Sequence, residues 1–426
     1  MVFSIEKFVK TIKLECRRLY MRRIFQRTFG GLPRSFVIIW FGTFINRAGT
    51  FVAPFLTLYL TREENVEESL VAAILMSYSV GVVASGVIGG FLADFIGRKR
   101  TMIFSLAGAA VIQVALVFSN GIAMVAICCV FLGLISDVYR PAASAMVADI
   151  AGDQATRAFG LLHWATNLGV PIASIGAGYF ATRSWSLLFV LDALTALVFA
   201  GLVLWKIQEP ERAGNKKEIV KDESASGGAI DLKLMYKLFG ITGISFAAFG
   251  IYFQNTTTLP LRVIDAGHSE SDFGRLLAIN GVLIAIAQPL LGPTLSSWER
   301  RRALSLGLML VGFGIALSGA GESLWFLVIT VVLWSFGEII LAALLPAVIA
   351  ELAPAHARGR YLGFFGTSIG LGGVVAPLGI VFYRAESNAF WMGCALIPMC
   401  LAIGQYLMLR EKKMENTHED FETHVD

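Results

Sequence analysis

Four of the ionisable residues that lie inside long apolar segments of the sequence could carry chemistry, because a charge is costly to hold there. Arg47 stands in the segment FGTFINRAGTFVAPF, and Asp137 and Arg140 stand three residues apart in LISDVYRPA. Glu338 stands in WSFGEIILAAL. Ionisable groups in apolar surroundings of this length usually serve ion or substrate pathways. The four residues therefore predict proton exchange and ion pairing inside a membrane protein.

The surroundings of the two carboxylates predict different roles for them. Asp137 and Arg140 share one helix face at positions i and i+3, near enough for an ion pair that keeps Asp137 ionised. Burial of Glu338 disfavours its charged form, so that this carboxyl can take up and release a proton. We interpret Glu338 as a proton carrier and the Asp137–Arg140 pair as a switch or substrate anchor. The alternatives are a packing role for the pair and a protonated, hydrogen-bonded packing role for Glu338.

The composition indicates that a bilayer surrounds these residues. Hydrophobic residues make up 56% of the 426 residues and charged residues only 15%, whereas soluble proteins carry about a quarter charged residues. Apolar runs long enough to cross a bilayer recur along the whole chain. We predict twelve membrane spans, at approximately 35–60, 69–94, 101–119, 121–150, 157–182, 185–206, 234–262, 272–296, 303–319, 322–350, 359–384 and 388–410.

The positions of lysine and arginine predict the orientation of these spans. Basic residues crowd both ends of the chain and every second connection, such as 98–100 and 300–302, while the alternate connections carry few. The positive-inside rule therefore places both termini in the cytoplasm, and an even number of spans requires the same. We expect a multi-pass protein of the cell inner (plasma) membrane.

The order of the spans and an internal repeat predict two halves. At a constant offset of 202 residues, Arg98 aligns with Arg300 and Asp149 aligns with Glu351. We therefore expect an all-α integral membrane fold with twelve transmembrane helices in two six-helix pseudo-symmetric halves. The predicted segments are a basic amphipathic cytoplasmic segment (1–34), an N-terminal half of six helices (35–206), a cytoplasmic linker (207–233), a C-terminal half of six helices (234–410) and a cytoplasmic tail (411–426).

The connection between the second and third spans reads GGFLADFIGRKR. It resembles the signature loop of the major facilitator superfamily, although Phe95 stands where that loop more usually has a basic residue. The resemblance implies the major facilitator fold and a conformational gate in which Asp94 lies against the helix that begins near Gly359. The predicted gate residues are Gly90, Asp94, Gly97, Arg98 and Lys99.

The same resemblance implies that the first, fourth, seventh and tenth spans line a central cavity. Arg140 also resembles the arginine of the fourth span that the family associates with proton coupling. We expect Glu338, Asp137 and Arg140 to carry proton coupling. The expected substrate-cavity residues are Arg47, Asn46, Tyr252, Gln254, Asn255 and Trp334.

Glycines in the fifth span allow two interpretations. Gly160 and Gly169 have the spacing of the family's antiporter motif, but Ala173 and Ser174 replace the Gly-Pro of that motif. Small residues at such spacing also let helices approach closely without any role in antiport.

These features favour a secondary active transporter, most like the drug:proton antiporter branch, that exports a small amphipathic molecule or drug by alternating access. The alternatives are a proton-coupled importer of a metabolite or peptide and, from another class, a non-transporting membrane sensor or scaffold. No catalytic triad, metal-ligand cluster or nucleotide-binding loop indicates an enzyme, and we expect neither cofactor nor metal. The expected partners are a small-molecule substrate, protons and the lipid bilayer, without nucleic acid and with a monomeric chain.

Overall fold

The computed structural model describes residues 28–209, 232–353 and 358–409, and within these ranges the chain is helical without strands. The predicted linker and C-terminal tail, and most of the predicted N-terminal segment, lie outside the described residues. The first eight α-helices are Arg34–Ala48 (α1), Val52–Leu58 (α2), Glu68–Phe95 (α3), Arg98–Val117 (α4), Ile122–Ser136 (α5), Tyr139–Ala151 (α6), Ala155–Ala181 (α7) and Trp185–Lys206 (α8). The others are Leu232–Tyr252 (α9), Gln254–Thr257 (α10), Leu259–Asp265 (α11), Glu270–Ser296 (α12), Arg300–Leu317 (α13), Leu324–Leu352 (α14), Arg358–Val375 (α15), Leu378–Ala385 (α16) and Ser387–Met408 (α17). A π-helical turn, Tyr59–Glu63, follows α2, and a 3₁₀ turn, Gly152–Gln154, precedes α7.

Nine segments of the described chain are long and apolar enough to cross a membrane. They are Arg34–Glu63, Glu68–Phe95, Arg98–Val117, Ile122–Ala151, Trp185–Lys206, Tyr236–Asp265, Leu324–Leu352, Tyr361–Ala385 and Ser387–Met408. The three other predicted spans coincide with the helices α7, α12 and α13. The helices are therefore consistent with twelve spans.

Two of the predicted spans are interrupted at a residue that stands four positions before a proline. The first span breaks between Ala48 and Val52, and the fourth between Ser136 and Tyr139. A proline cannot donate to the carbonyl four residues before it, and its ring collides with that carbonyl in a regular helix. Pro54 and Pro141 stand four residues after Thr50 and Asp137, which lie in the two breaks.

Two further predicted spans are interrupted next to a proline. In the seventh span, Pro260 occupies the first turn of α11. In the eleventh span, Pro377 directly precedes α16. Both positions suit proline because the first N–H groups of a helix have no partner within that helix.

The described residues form two compact units. One contains residues 28–209 and 268–285, and the other contains residues 232–267 and 286–409. In the first unit α1 packs against α7 and α8, and α4 packs against α8. In the second unit α13 packs against α14 and α17, while α9 packs against α15. The predicted boundaries of the two halves stay a prediction.

In the first unit, small residues bring α7 and the N-terminal part of α12 into backbone contact. A Cβ atom at Gly274 would lie 2.4 Å from the carbonyl oxygen of Ser174, and one at Gly178 would lie 2.9 Å from the carbonyl oxygen of Glu270. No real side chain tolerates such distances. Gly160, by contrast, has open space where a Cβ would be. The glycines of α7 therefore differ, and close packing accounts for Gly178.

Candidate functional site

The break in the first span places Arg47 at the end of α1. Beyond it, the carboxylate of Asp192 in α8 accepts hydrogen bonds from the backbone N–H groups of Phe51 and Val52, at 3.1 and 3.2 Å. These two groups open α2 and have no partner within the helix. A Cβ at Gly49 would overlap Thr195 at 2.1 Å, so the chain at the break lies directly on α8. The buried carboxylate of Asp192 in the neighbouring helix α8 thus stabilises the break through these two hydrogen bonds.

Arg47 pairs with Asp137 in the first unit. Its Nη2 lies 3.3 Å from Oδ1 of Asp137 and donates a 2.9 Å hydrogen bond to the hydroxyl of Tyr139. The side chain of Arg47 is 13% exposed. Arg140, whose side chain is 50% exposed, places its Nε 3.2 Å from the same Oδ1. Asp137 therefore lies between two guanidinium groups, one largely buried and one accessible.

The break in the fourth span determines where Asp137 and Tyr139 point. Ser105 in α4 accepts a hydrogen bond from the backbone N–H of Tyr139 at 3.0 Å, and its hydroxyl donates to the carbonyl of Ile135 at 2.6 Å. One hydroxyl thus bonds to both groups, the N–H of Tyr139 and the carbonyl of Ile135, that would bond to each other in a continuous α-helix. A Cβ at Gly89 in α3 would lie 2.4 Å from the carbonyl oxygen of Val138. The break in the fourth span therefore packs closely against α3 and is hydrogen-bonded to α4.

In the second unit, Glu338 accepts a hydrogen bond from Tyr252. The phenolic oxygen of Tyr252 lies 2.6 Å from Oε1 of Glu338. This length is typical of a hydroxyl that donates to a carboxylate. Tyr252 at the end of α9 and Glu338 in α14 are both half-buried. The carboxylate that we predicted as a proton carrier thus has a specific donor from a neighbouring helix.

The other predicted cavity residues of this unit are more deeply buried. Gln254 is 5% exposed and donates to the carbonyls of Gly250 and Ala376, at 3.0 and 2.9 Å. Its Oε1 accepts from the hydroxyls of Thr257 and Thr258. Gln254 therefore ties the start of α10 to the break before α16. Asn255 and Trp334 are also buried, at 4% and 0% exposed.

Asn46, the remaining predicted cavity residue, belongs to the first unit. It is 8% exposed, and its carbonyl accepts a hydrogen bond from the hydroxyl of Thr50. This bond bridges the break that follows α1. The backbone around Asn46 and Arg47 is thus stabilised by a side-chain hydrogen bond from within the break.

The predicted gate residues surround the start of α4. Gly97 has a φ of +98°, a conformation that glycine adopts without strain. Arg98 forms an ion pair with Asp149 at the end of α6. The backbone N–H groups of Arg98 and Lys99 donate to the two carboxylate oxygens of Glu209, at 2.7 and 3.0 Å. Glu209 therefore caps α4, and the loop is bonded to two acidic partners.

The remaining predicted gate residues are Gly90 and Asp94. A Cβ at Gly90 would meet no described atom within 4 Å, so close packing does not explain that glycine. The expected contact between Asp94 and the helix near Gly359 stays a prediction.

The second unit repeats one of these contacts. Nη2 of Arg300 lies 3.0 Å from Oε1 of Glu351. These residues are the repeat partners of Arg98 and Asp149, which form the corresponding ion pair in the first unit. The repeat seen in the sequence is therefore also a repeat of side-chain contacts.

Sequence reasoning did not identify Glu209 as a loop partner. It follows a span and stands in a polar stretch, QEPER, that the composition assigns to the linker. A carboxylate near a helix N-terminus would be the relevant signal, but Glu209 and α4 lie about 110 residues apart in the sequence. No local pattern connects them.

Comparison with known proteins gives consistent matches over most of the chain. The model of a family described as the Major Facilitator Superfamily matches residues 39–377 and 241–423. The chain is 27% identical to the "Uncharacterized MFS-type transporter YttB" of Bacillus subtilis (strain 168), over 82% of this chain and 87% of that protein. It is 24% identical to the "Na(+), Li(+), K(+)/H(+) antiporter" of Planococcus maritimus, over 79% and 86%. The crystal structure of a peptide transporter POT in complex with sulfate superposes with a TM-score of 0.76 at 18% identity, over 90% of this chain and 96% of that one.

Proposed function

Since the chain belongs to the Major Facilitator Superfamily and is therefore a multi-pass membrane transporter, we propose that it exports a small amphipathic molecule or drug in exchange for protons. Its membership confirms the family that the loop GGFLADFIGRKR resembles, and with it the all-α membrane fold. It also confirms that the chain is a transporter and no enzyme. Coupling to protons and outward direction are the parts that we propose.

The observation that carries the proposal is the bond between Tyr252 and Glu338. A carboxyl in an apolar span releases its proton only where a donor stabilises the resulting charge. The hydroxyl of Tyr252, 2.6 Å from Oε1, is such a donor. The apolar surroundings disfavour the charged form of Glu338 and this hydroxyl stabilises it, so we propose that Glu338 takes up and releases a proton within the span. A proton carrier needs this property.

The cluster around Asp137 supports a separate role. Two guanidinium groups, of Arg47 and Arg140, lie within 3.3 Å of one carboxylate oxygen. Such an arrangement favours a permanently charged Asp137 and leaves the cluster with an excess positive charge. We assign Asp137 and Arg140 to a switch or substrate anchor, and Glu338 to the exchanged proton.

Antiport is favoured by one relative, whose printed name describes a cation/H(+) antiporter. The alternative is proton-coupled import of a metabolite or peptide. The likeness to the peptide transporter shows the fold alone, so measurement must decide the direction. We further propose a monomer in the plasma membrane with both termini in the cytoplasm.

Transport in inverted vesicles with an imposed pH gradient tests this function, using a panel of fluorescent cationic and neutral drugs. Glu338→Gln should abolish gradient-driven accumulation while largely keeping substrate binding and downhill exchange. Glu322→Gln is the matched control, because its carboxylate lies outside α14 and its side chain is 76% exposed. The control should transport like the unmodified protein.

The role of the Asp137 cluster is tested by Arg140→Ala in the same vesicles. This change should impair both accumulation and downhill exchange, because it removes one of the two cations beside Asp137. Uphill transport by Glu338→Gln at the unmodified rate and with the same pH dependence would show that Glu338 only packs. Accumulation driven from the opposite side of the membrane would favour the importer.

A further inference from the structure

A cavity of about 430 Å³ lies in the second unit, where the starts of α9 and α13 meet the ends of α14 and α17. This volume is within the range of cavities that bind small ligands. Its charged lining residues are Lys237, Glu299, Arg300, Arg301 and Glu351, and the remaining lining residues are aliphatic. None of the residues that we assign to proton coupling or to the substrate cavity lines it, so transport of the substrate does not account for this cavity.

The charges around the cavity do not balance. The three arginines that open α13 share two carboxylates, those of Glu299 and Glu351. Lys237 adds a further cation, and it has no hydrogen-bond or ion-pair partner among the described residues although its side chain is half-buried. A cation that is partly withdrawn from water is stabilised by a counter-ion. The lining therefore has an excess of positive charge that an anion would neutralise.

Arg301 is held at the cavity by an aromatic ring. Its guanidinium carbon lies 4.9 Å from the ring centroid of Tyr406 in α17, and its side chain is 26% exposed. Such stacking fixes the plane of the guanidinium, whose N–H groups match the oxygens of a phosphate. Lys237 reaches the same cavity from α9 and supplies a point charge. The two side chains together suit a phosphate group better than a single carboxylate.

The first unit has a corresponding cavity, and there the chain itself supplies the anion. That cavity, of about 530 Å³, is lined by Lys99, the repeat counterpart of Arg301, and by Glu209. The carboxylate of Glu209 accepts hydrogen bonds from two backbone N–H groups at the start of α4, at 2.7 and 3.0 Å. In the second unit, Glu299 directly precedes α13, but its side chain does not cap that helix. The first unit thus shows that this position of the repeat accommodates an anionic group with two oxygens.

Apolar surface adjoins the cavity of the second unit. The aromatic side chains of Tyr236 and Phe239, next to Lys237 on α9, are 76% and 50% exposed. Leu407, two residues before the lining residue Leu409, is 58% exposed. Aromatic side chains at the end of a span lie at the level of the lipid headgroups. An anion that carries acyl chains therefore fits both the charged cavity and the apolar surface beside it.

We propose that this cavity binds the phosphodiester headgroup of an anionic phospholipid, with Lys237 and Arg301 as its ligands. Basic pockets between helices at the membrane surface bind such headgroups. A soluble phosphate compound offers the same phosphate chemistry, but it leaves the exposed apolar surface beside Lys237 uncovered. The site is separate from Glu338 and Asp137, so it depends on neither the coupling nor the direction of transport.

Equilibrium binding to the full chain in detergent micelles tests the proposal. The probe is tritiated dioleoylphosphatidylglycerol, and the competitors are the same lipid unlabelled, its phosphatidylcholine and phosphatidylethanolamine analogues, and glycerol 3-phosphate. Unlabelled phosphatidylglycerol should displace the probe at roughly one tenth of the concentration that either zwitterionic lipid requires. Glycerol 3-phosphate in large excess should not displace it. Equal competition by the three lipids would overturn the proposal, and displacement by glycerol 3-phosphate would identify a site for soluble phosphates instead.

Variants of Lys237 assign the binding to this cavity. Lys237→Gln should lower the affinity for phosphatidylglycerol about fivefold, as expected for one lysine beside an anionic lipid, and Lys237→Arg should keep it. Lys206→Gln is the matched control, because Lys206 also ends a span but belongs to α8 of the first unit and does not line the cavity. It should bind like the unmodified protein. Equal losses in Lys237→Gln and Lys206→Gln would show a general effect of surface charge and would contradict the site. The lipid series on the unmodified protein needs no variant to fold.

Glu411 is the alternative source of an anion, because it is the repeat counterpart of Glu209 at the offset of 202 residues. It lies outside the described residues. The variant Glu411→Gln separates the two occupants in the same binding assay. An equal preference for phosphatidylglycerol in this variant and in the unmodified protein would support the lipid. A preference that appears only in Glu411→Gln would show that the chain's own carboxylate fills the cavity, and it would overturn the proposal.

Discussion

The hydroxyl of Tyr252 donates a 2.6 Å hydrogen bond to Glu338, a residue 86 positions later in the chain. We predict that Tyr252→Phe lowers gradient-driven transport about tenfold, because a hydrogen bond to a charged group contributes about 1.5–3 kcal/mol. Initial rates in vesicles check this. Tyr383→Phe is the control, since Tyr383 donates a similar 2.7 Å bond to Asp265 in the same unit. Equal losses in both variants would indicate a general effect on stability.

The two arginines beside Asp137 should contribute unequally to stability. Arg47 is 13% exposed and bonds to both Asp137 and Tyr139, whereas Arg140 is 50% exposed. Removal of a buried ion-pair partner costs about 3–5 kcal/mol and loss of an exposed pair about 0–1 kcal/mol. Arg47→Met should therefore lower the apparent unfolding temperature of the purified protein much more than Arg140→Met. The reverse order would contradict the burial of Arg47.

The close approach of α7 and α12 predicts opposite effects of one substitution at two glycines. Gly274→Ala places a Cβ 2.4 Å from the carbonyl of Ser174 and should destabilise the protein by about 1–3 kcal/mol. Gly160→Ala enters open space in a helix and should stabilise it by up to about 1 kcal/mol. Thermal unfolding of the two variants measures the difference. A stable Gly274→Ala variant would show that the helices can separate there.

The asymmetry of lysine and arginine predicts the topology. In a background without the native cysteines, Glu67→Cys should react with an impermeant thiol reagent in intact cells, and Asn215→Cys should react only after lysis. Glu67 lies just before α3, at a connection with few basic residues, and its side chain is exposed. Labelling of both positions in intact cells would reject the twelve-span orientation.

Much of the fold could be predicted from the sequence, because bilayer spans require long apolar runs. The breaks within spans were not predicted, although prolines mark several of them. Pro54 and Pro141 stand four residues after Thr50 and Asp137, which lie in the breaks, but Pro171 and Pro346 lie inside continuous helices. A proline therefore indicates only where a helix is weakened. Whether it breaks depends on partners such as Ser105, which satisfies the freed groups at the fourth span.

The candidate site was partly predictable for the same reason. Asp137 and Arg140 are three residues apart on one helix, and local spacing predicted the 3.2 Å contact. The contact of Arg47 with Asp137 joins residues 90 positions apart, and that of Phe51 with Asp192 joins residues 141 apart. Such contacts depend on how helices pack, which hydropathy does not encode.

The matching pairs Arg98–Asp149 and Arg300–Glu351 carry a consequence for the history of the chain. Each pair lies wholly within one unit, at equivalent positions of the repeat. A shared contact of this kind is most simply inherited from a single six-helix ancestor that existed before its gene was duplicated and fused. Asp94 and its counterpart Ser296 differ in charge, so the copies diverged at this position of the loop and kept the ion pair.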